Sequence, residues 1–303
     1  MTGCSLPEVF SKLKNDLQNV PSHCVLEYIP RNNPFRDQNI VVLCPKDQED
    51  IIQGARWYAS HCTDEYNIPP LFVLCEDVNF ATVLASHVVK RFISSNCMSA
   101  VPRSVIGVPT FSVYRARSLF AGKCRRNPYD IDLSLAIGGT PSTSVPLISV
   151  LGQHYAIPEV ELQKVVRQIQ QYPIETVVED TSILHPEKTV YSELSQNSPS
   201  AMAFAGFEFI ISFLRAQRGD GPATEVVFTE QFQNIEETVF DKIKNPPRYL
   251  ARRAIIDQPG LVKLLGYNNL SPFEMNTVTE CIPALEKDIQ KAELAAENIA
   301  LTE

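Results

Sequence analysis

Asn39-Ile-Val-Val-Leu-Cys44 and Leu71-Phe-Val-Leu-Cys75 are two unbroken apolar runs, each followed by a segment with helical spacing. A strand that is apolar on both faces must be covered on both faces. Such strands belong to parallel sheets flanked by helices. Pro45 stops the first run, and Ile51, Ala55, Tyr58 and Cys62 then recur on one face of a helix over 46–62. After the second run, Phe80, Val83, Leu84 and Val88 mark a helix over 78–92. The expected class is α/β, with an N-terminal mostly parallel sheet flanked by helices and a helix-rich C-terminal part. The two runs are expected to lie side by side in it.

The remaining elements follow from the same periodicities. Leu6, Val9, Phe10, Leu13 and Leu17 share a helical face over 6–20, and 24–29 reads as a strand. Segments 104–114, 130–137, 174–178 and 224–228 read as strands, and 158–172 as a helix with Leu162, Val165, Val166 and Ile169 inward. The polar, proline-bearing stretch 181–200 reads as a loop or boundary. It divides an α/β domain (1–180) from a helix-rich region (201–303), which can also pack on the first as one domain. In that region 199–215, 231–242, 247–256 and 258–265 read as helices. Ser271-Pro-Phe-Glu274 has the form of a capping box with proline at the first helical position. Beyond Pro283, which should kink or divide the last helix, Leu285, Ile289, Ala292, Ala296 and Ile299 form a narrow apolar stripe. It should dock on the chain's own core or, failing that, on a protein partner or a second copy through 285–301.

Composition narrows the function classes. A net charge of −8 disfavours a general nucleic-acid or anionic-membrane binder and leaves only a local basic site. The longest apolar stretch, Ala201–Leu214, is too short to span a bilayer. The start shows no basic region followed by an apolar core, so the expected location is cytoplasmic or nuclear, not secreted. Eight widely spaced cysteines without a CxxC pair read as reduced thiols. Only 12 glycines occur, against roughly 7% in average usage, and neither GxGxxG nor GxxxxGK[ST] is present. A Gly-rich phosphate turn is therefore not expected.

Three groups of residues could carry chemistry. Asp130 and Asp132 share a face if 130–137 is a strand, which suits a hard divalent cation, Mg²⁺ or Mn²⁺. This Asp-Ile-Asp-Leu segment resembles the DhDh strand of the nucleotidyltransferases, although the Gly-Ser pair of that superfamily is missing and only Gly122-Lys123 lies nearby. Arg115, Arg117, Lys123, Arg125 and Arg126 precede it without an intervening acid and could hold phosphate, as could the backbone of Gly138-Gly139 after the strand. Cys44 and Cys75, each ending an apolar run ahead of a helix bearing His61 or His87, offer a thiolate nucleophile at the carboxyl end of a strand. His154 and His185 are further acid–base candidates, and Lys242, Lys244, Arg248, Arg252 and Arg253 form a second basic cluster. Low glycine and the terminal stripe favour a non-catalytic interaction or assembly protein. The alternatives are a metal-dependent enzyme of nucleotidyl or phosphoryl transfer, and a cysteine-nucleophile enzyme.

Overall fold

The computed structural model describes residues 40–63, 68–170, 199–232, 246–258, 260–267 and 270–301. The expected helix over 6–20, the strands over 24–29 and 174–178, most of the 181–200 boundary and of the 231–242 helix, and His185, Lys242 and Lys244 lie outside the described residues.

The two apolar runs form β1 (Val41–Leu43) and β2 (Leu71–Val73), and β3 (Val105–Gly107) follows. β1 pairs β2 and β2 pairs β3, both in parallel, with Val42 opposite Phe72 and Phe72 opposite Ile106. Between them run α1 (Gln48–His61), α2 (Val78–Phe92) and the short α3 (Val101–Ser104). Asp47 caps α1 and Asp77 caps α2, each accepting from a backbone N–H three residues on. Phe72 is fully buried and meets Phe209 and Phe213 edge-on, with ring centroids 5.1 and 4.9 Å apart.

Next come α4 (Thr110–Cys124), β4 (Leu135–Ile137), β5 (Ser144–Pro146), α5 (Ser149–His154) and α6 (Glu159–Gln170). They are followed by α7 (Pro199–Arg218), β6 (Ala223–Glu230), β7 (Tyr249–Asp257), β8 (Gly260–Leu264) and α8 (Pro272–Leu301). The strand order is β1-β2-β3-β6-β7-β4-β5, with β8 on β7. Everything beyond β3 joins antiparallel. The C-terminal strands therefore sit in the same sheet as the N-terminal ones.

Three expectations are corrected here. The strand expected over 104–114 ends at Gly107, and α4 begins just past Pro109. The strand expected over 130–137 is only Leu135–Ile137, and Asp130 closes a 3₁₀ turn (Pro128–Asp130). The helices expected over 247–256 and 258–265 are β7 and β8. β7 lies between β6 and β4 and is buried along most of its length, so no period-2 alternation marks it. Adjacent arginines, good helix formers, completed the misreading.

α8 carries the expected capping box: the Ser271 amide donates to Glu274 Oε2 and the Glu274 amide to Ser271 Oγ. It runs through Pro283 as one helix. Leu285, Ile289, Ala292 and Ile299 are buried in the main core cluster, so the stripe docks on its own domain. The His87 ring faces Glu293 at 3.5 Å and ties α2 to α8. No helix among the described residues is long and apolar enough to cross a membrane.

The aromatic contact beneath α7 gives a direct test of the core. Phe72→Ala should destabilise the chain by about 3–5 kcal/mol, read as a fall in the denaturant midpoint. A change below about 1 kcal/mol would mean that α7 does not pack on β2.

Candidate functional site

The carboxyl ends of β2 and β4 converge on one side chain. Asn79, in the first turn of α2 and fully buried, accepts from the amides of Gly139 (2.8 Å) and Thr140 (3.2 Å). Its amino group donates to Thr143 Oγ1 (2.8 Å) and to Asp288 Oδ2 of α8 (3.0 Å). Ser112 of α4 donates to the Gly139 carbonyl at 2.7 Å, and Ser144 donates to the Gly138 carbonyl at 2.8 Å. A Cβ at Gly138 would strike Thr143, and one at Gly139 would strike Val78, which is why two glycines stand where the loop crosses α2. Ile137, just before them, holds a φ of 78°. That is a strained conformation for a β-branched residue, of a kind that gathers at functional sites.

Asp77 stands at the open edge of this cluster. It is exposed, accepts from the Phe80 amide, and lies within 3.4 Å of Thr140 Oγ1. Loss of hydration and the neighbouring Asp288 carboxylate push its pKa above the ordinary value, while the Phe80 amide and the Lys291 ammonium pull the other way. Lys291 lies over the Phe80 ring, 4.8 Å from its centroid. The cluster thus offers a carboxylate that holds its proton more readily than usual, beside a cation and a rigid polar floor.

The residues singled out from the sequence do not assemble here. Asp130 and Asp132 are both exposed, and Asp132 pairs with Arg253 of β7. The described residues contain no group of three or more acid, histidine or cysteine side chains able to hold a metal. Arg115 is buried and donates to the Gln168 carbonyl, Arg117 lies over Tyr114, Lys123 pairs with Glu161, Arg125 ends α4 and Arg126 lies over Tyr155. Arg115, Arg117 and Lys123 lie along α4, while Arg125 and Arg126 follow its end, and the five have separate partners or surroundings. The backbone donors of Gly138 and Gly139 are used by Thr143 and Asn79, leaving neither N–H for a phosphate. Burial raises the Cys44 thiol to about 11 and pushes Cys75 higher still, the opposite of an activated nucleophile. His61 bonds to the Trp57 carbonyl, His87 faces Glu293, and His154 is exposed at the end of α5 beside Tyr155.

Sequence reasoning missed Asp77, Asn79, Asp288 and Lys291. The available signal was position: Glu76-Asp77-Val78-Asn79 lies directly beyond a parallel strand, where open α/β sheets place their ligands. The cysteine ending that run drew the reading instead.

No protein-family model matches the chain. Among curated proteins, the mitochondrial malate dehydrogenase of Sus scrofa is 24% identical over 241 residues, covering 80% of this chain and 62% of that protein. The mitochondrial malate dehydrogenase of Homo sapiens is 24% identical over 235 residues, 78% of this chain and 60% of that protein. Among solved structures, malate dehydrogenase from Plasmodium falciparum in complex with NADH superposes with a TM-score of 0.64 at 14% identity, covering 98% of this chain and 89% of that one. The malate dehydrogenase of Aeropyrum pernix gives 0.63 at 10% identity, over 94% and 86%. The fold is one that malate dehydrogenases share. In sequence, the chain spans about 62% of the length of the first of these curated relatives.

These comparisons correct the functional expectation. The relatives and structural neighbours carry the name of an oxidoreductase. A non-catalytic interaction or assembly protein, and an enzyme of nucleotidyl or phosphoryl transfer, are both the wrong class. The cysteine-nucleophile alternative falls with them.

The raised Asp77 pKa fixes the sign of a stability effect. A carboxyl whose folded pKa exceeds its unfolded one opposes folding once ionised, so its stabilising contribution exists only at low pH. Asp77→Asn, which keeps a capping oxygen, should melt at a higher temperature than the parent near neutral pH. The gap should close as pH falls below the ordinary carboxylate value, about 4. A gap that widens on acidification would show that the pKa is lowered instead.

Proposed function

We propose that this chain is an oxidoreductase of the malate dehydrogenase kind, interconverting the hydroxyl and carbonyl forms of a small organic acid at the cluster beyond β2 and β4. The observation that carries the reading is the likeness in sequence to malate dehydrogenases over 80% of the chain. The position of the cluster supports it, because a carboxyl with a raised pKa stands where sheets of this kind bind ligands.

The substrate half of the chemistry can be assigned to named atoms. Oxidising a hydroxyl carbon removes a proton from oxygen and a hydride from carbon. Asp77 takes the proton on its carboxylate, and its raised pKa makes it a stronger proton acceptor than an ordinary carboxylate. In the reverse direction the same carboxyl returns the proton. Lys291 supplies positive charge for the carboxylate of the acid, and Asn79 keeps the loop at Thr140 rigid.

A nicotinamide dinucleotide is the two-electron carrier that the Plasmodium structure's NADH suggests. The described residues do not fit its pyrophosphate. The first turn of α1 carries Glu49 and Asp50 after the Asp47 cap, and α2 is capped by Asp77, so carboxylates already occupy the positive ends of both helix dipoles. The first turn of α4 is buried, and the Gly138-Gly139 amides are already used. The relatives' names place them in mitochondria, and the compartment proposed for this chain is mitochondrial or cytosolic.

The test supplies the carrier. The full chain is incubated with L-malate or other 2-hydroxy acids and a two-electron redox dye, with NAD⁺ as a parallel arm, and loss of the hydroxy acid is followed. Turnover is expected with the dye, and Asp77→Asn should lower kcat by about 10²–10⁴-fold with little change in KM. Failure of the full chain to oxidise any of the acids with either acceptor would overturn the assignment.

A further inference from the structure

A second cavity, of about 400 Å³, opens between α4, α7 and β6, away from the Asn79 cluster. Its size falls within the range of small-molecule sites. Val113, Phe209, Ile211 and Val226 make part of its lining apolar. The charged part holds Arg117, Arg215, Arg253, Glu208, Asp220 and Glu225.

These charges are not consumed by one another. Arg253 pairs with Asp132, outside the cavity lining. Arg117 lies over the Tyr114 ring, 5.5 Å from its centroid, and its buried Nε has no hydrogen-bond acceptor. Among the described residues, neither Arg117 nor Arg215 forms an ion pair, and neither does Glu208 or Glu225. Arg117 and Arg215 thus share one cavity with Glu208, Asp220 and Glu225, and none of the five closes an ion pair among the described residues. Loss of hydration and the nearby Glu208 raise the Glu225 pKa, against the pull of Ser212, Arg117 and Arg253. Glu225 and the buried Nε of Arg117 are the members for which an incomplete set of partners is costly, while Arg215 and Asp220 stand at the exposed mouth.

A ligand that completes both signs at once must itself carry both. The geometry points to a binding site for a small zwitterion, an α-amino acid with an apolar side chain, whose carboxylate meets Arg117 and Arg215 and whose ammonium meets Glu208 and Glu225. A planar guanidinium takes a carboxylate through two parallel hydrogen bonds, so Arg117 and Arg215 set the orientation. The apolar side chain then lies on Phe209 and Ile211. This site is independent of the oxidoreductase reading and stands or falls without it.

Calorimetric titration of the full chain with L-leucine tests it, with 4-methylpentanoate and 3-methylbutylamine as matched single-charge probes. L-leucine should bind, and each single-charge probe should bind at least about tenfold more weakly. Arg215→Gln and Glu208→Gln, both at half-exposed or exposed positions of α7, should each weaken L-leucine by about tenfold or more while leaving the melting temperature of the free protein unchanged. Equal affinity for 4-methylpentanoate would make this an anion site and overturn the proposal. So would the absence of L-leucine binding, or binding that both variants leave intact.

Discussion

The carboxamide of Asn79 is the constraint on which the rest of the structure depends. It is fully buried, and its oxygen and nitrogen are both engaged, with the 139–140 backbone, with Thr143 and with Asp288. Three parts of the chain far apart in sequence meet through it: the β2–α2 junction, the β4–β5 connection and the C-terminal helix. A buried amide with one bond missing would cost more than the bond itself contributes, so the arrangement holds all three or fails together. That cooperativity positions Asp77 two residues earlier, at the rim and not in the core.

The acids at the helix starts shape what the sheet's carboxyl edge can accept. Asp47 and Asp77 satisfy backbone donors that would otherwise seek an anion, so α1 and α2 are stable without a bound phosphate. The same substitution of internal carboxylate for external anion leaves a base-like group at the site. Partial loss of hydration and then Asp288 raise the Asp77 pKa, while the Phe80 amide and Lys291 limit how far that shift goes. A general base and a solvated capping residue differ here only in those neighbours.

How much of this the sequence displays depends on where the apolar pattern is two-sided and where it is masked. The run at 71–74 and the helix at 78–92 are legible because burial leaves an unbroken apolar signal; the run at 40–43 reads the same way although β1 ends the strand order and is only half-buried, and the two strands pair in parallel. Tyr249–Asp257 is also buried along most of its length, but Arg252 and Arg253 interrupt its apolar run, and the burial of Arg252 becomes intelligible only beside β6 and β4. The phosphate and metal readings failed for a related reason. Asp130, Asp132 and the basic residues from 115 to 126 are close in sequence, yet a 3₁₀ turn and a helix point them apart. The site that does form includes a hydrogen bond between residues 209 positions apart, Asn79 and Asp288, which no spacing rule reveals. The scarcity of glycine argued against a nucleotide-binding fold, whereas the sheet resembles that of the malate dehydrogenases without that turn among the described residues.

The central claim is that Asp288 and the surrounding packing tune Asp77 as a proton acceptor. The most direct measurement is a carbon-13 NMR titration of the Asp77 carboxyl in the full chain, repeated in Asp288→Asn. The account predicts an apparent pKa above the ordinary value of about 3.9, falling toward it when Asp288 loses its charge. An Asp77 that titrates at or below that value, or that does not respond to Asp288→Asn, would contradict it.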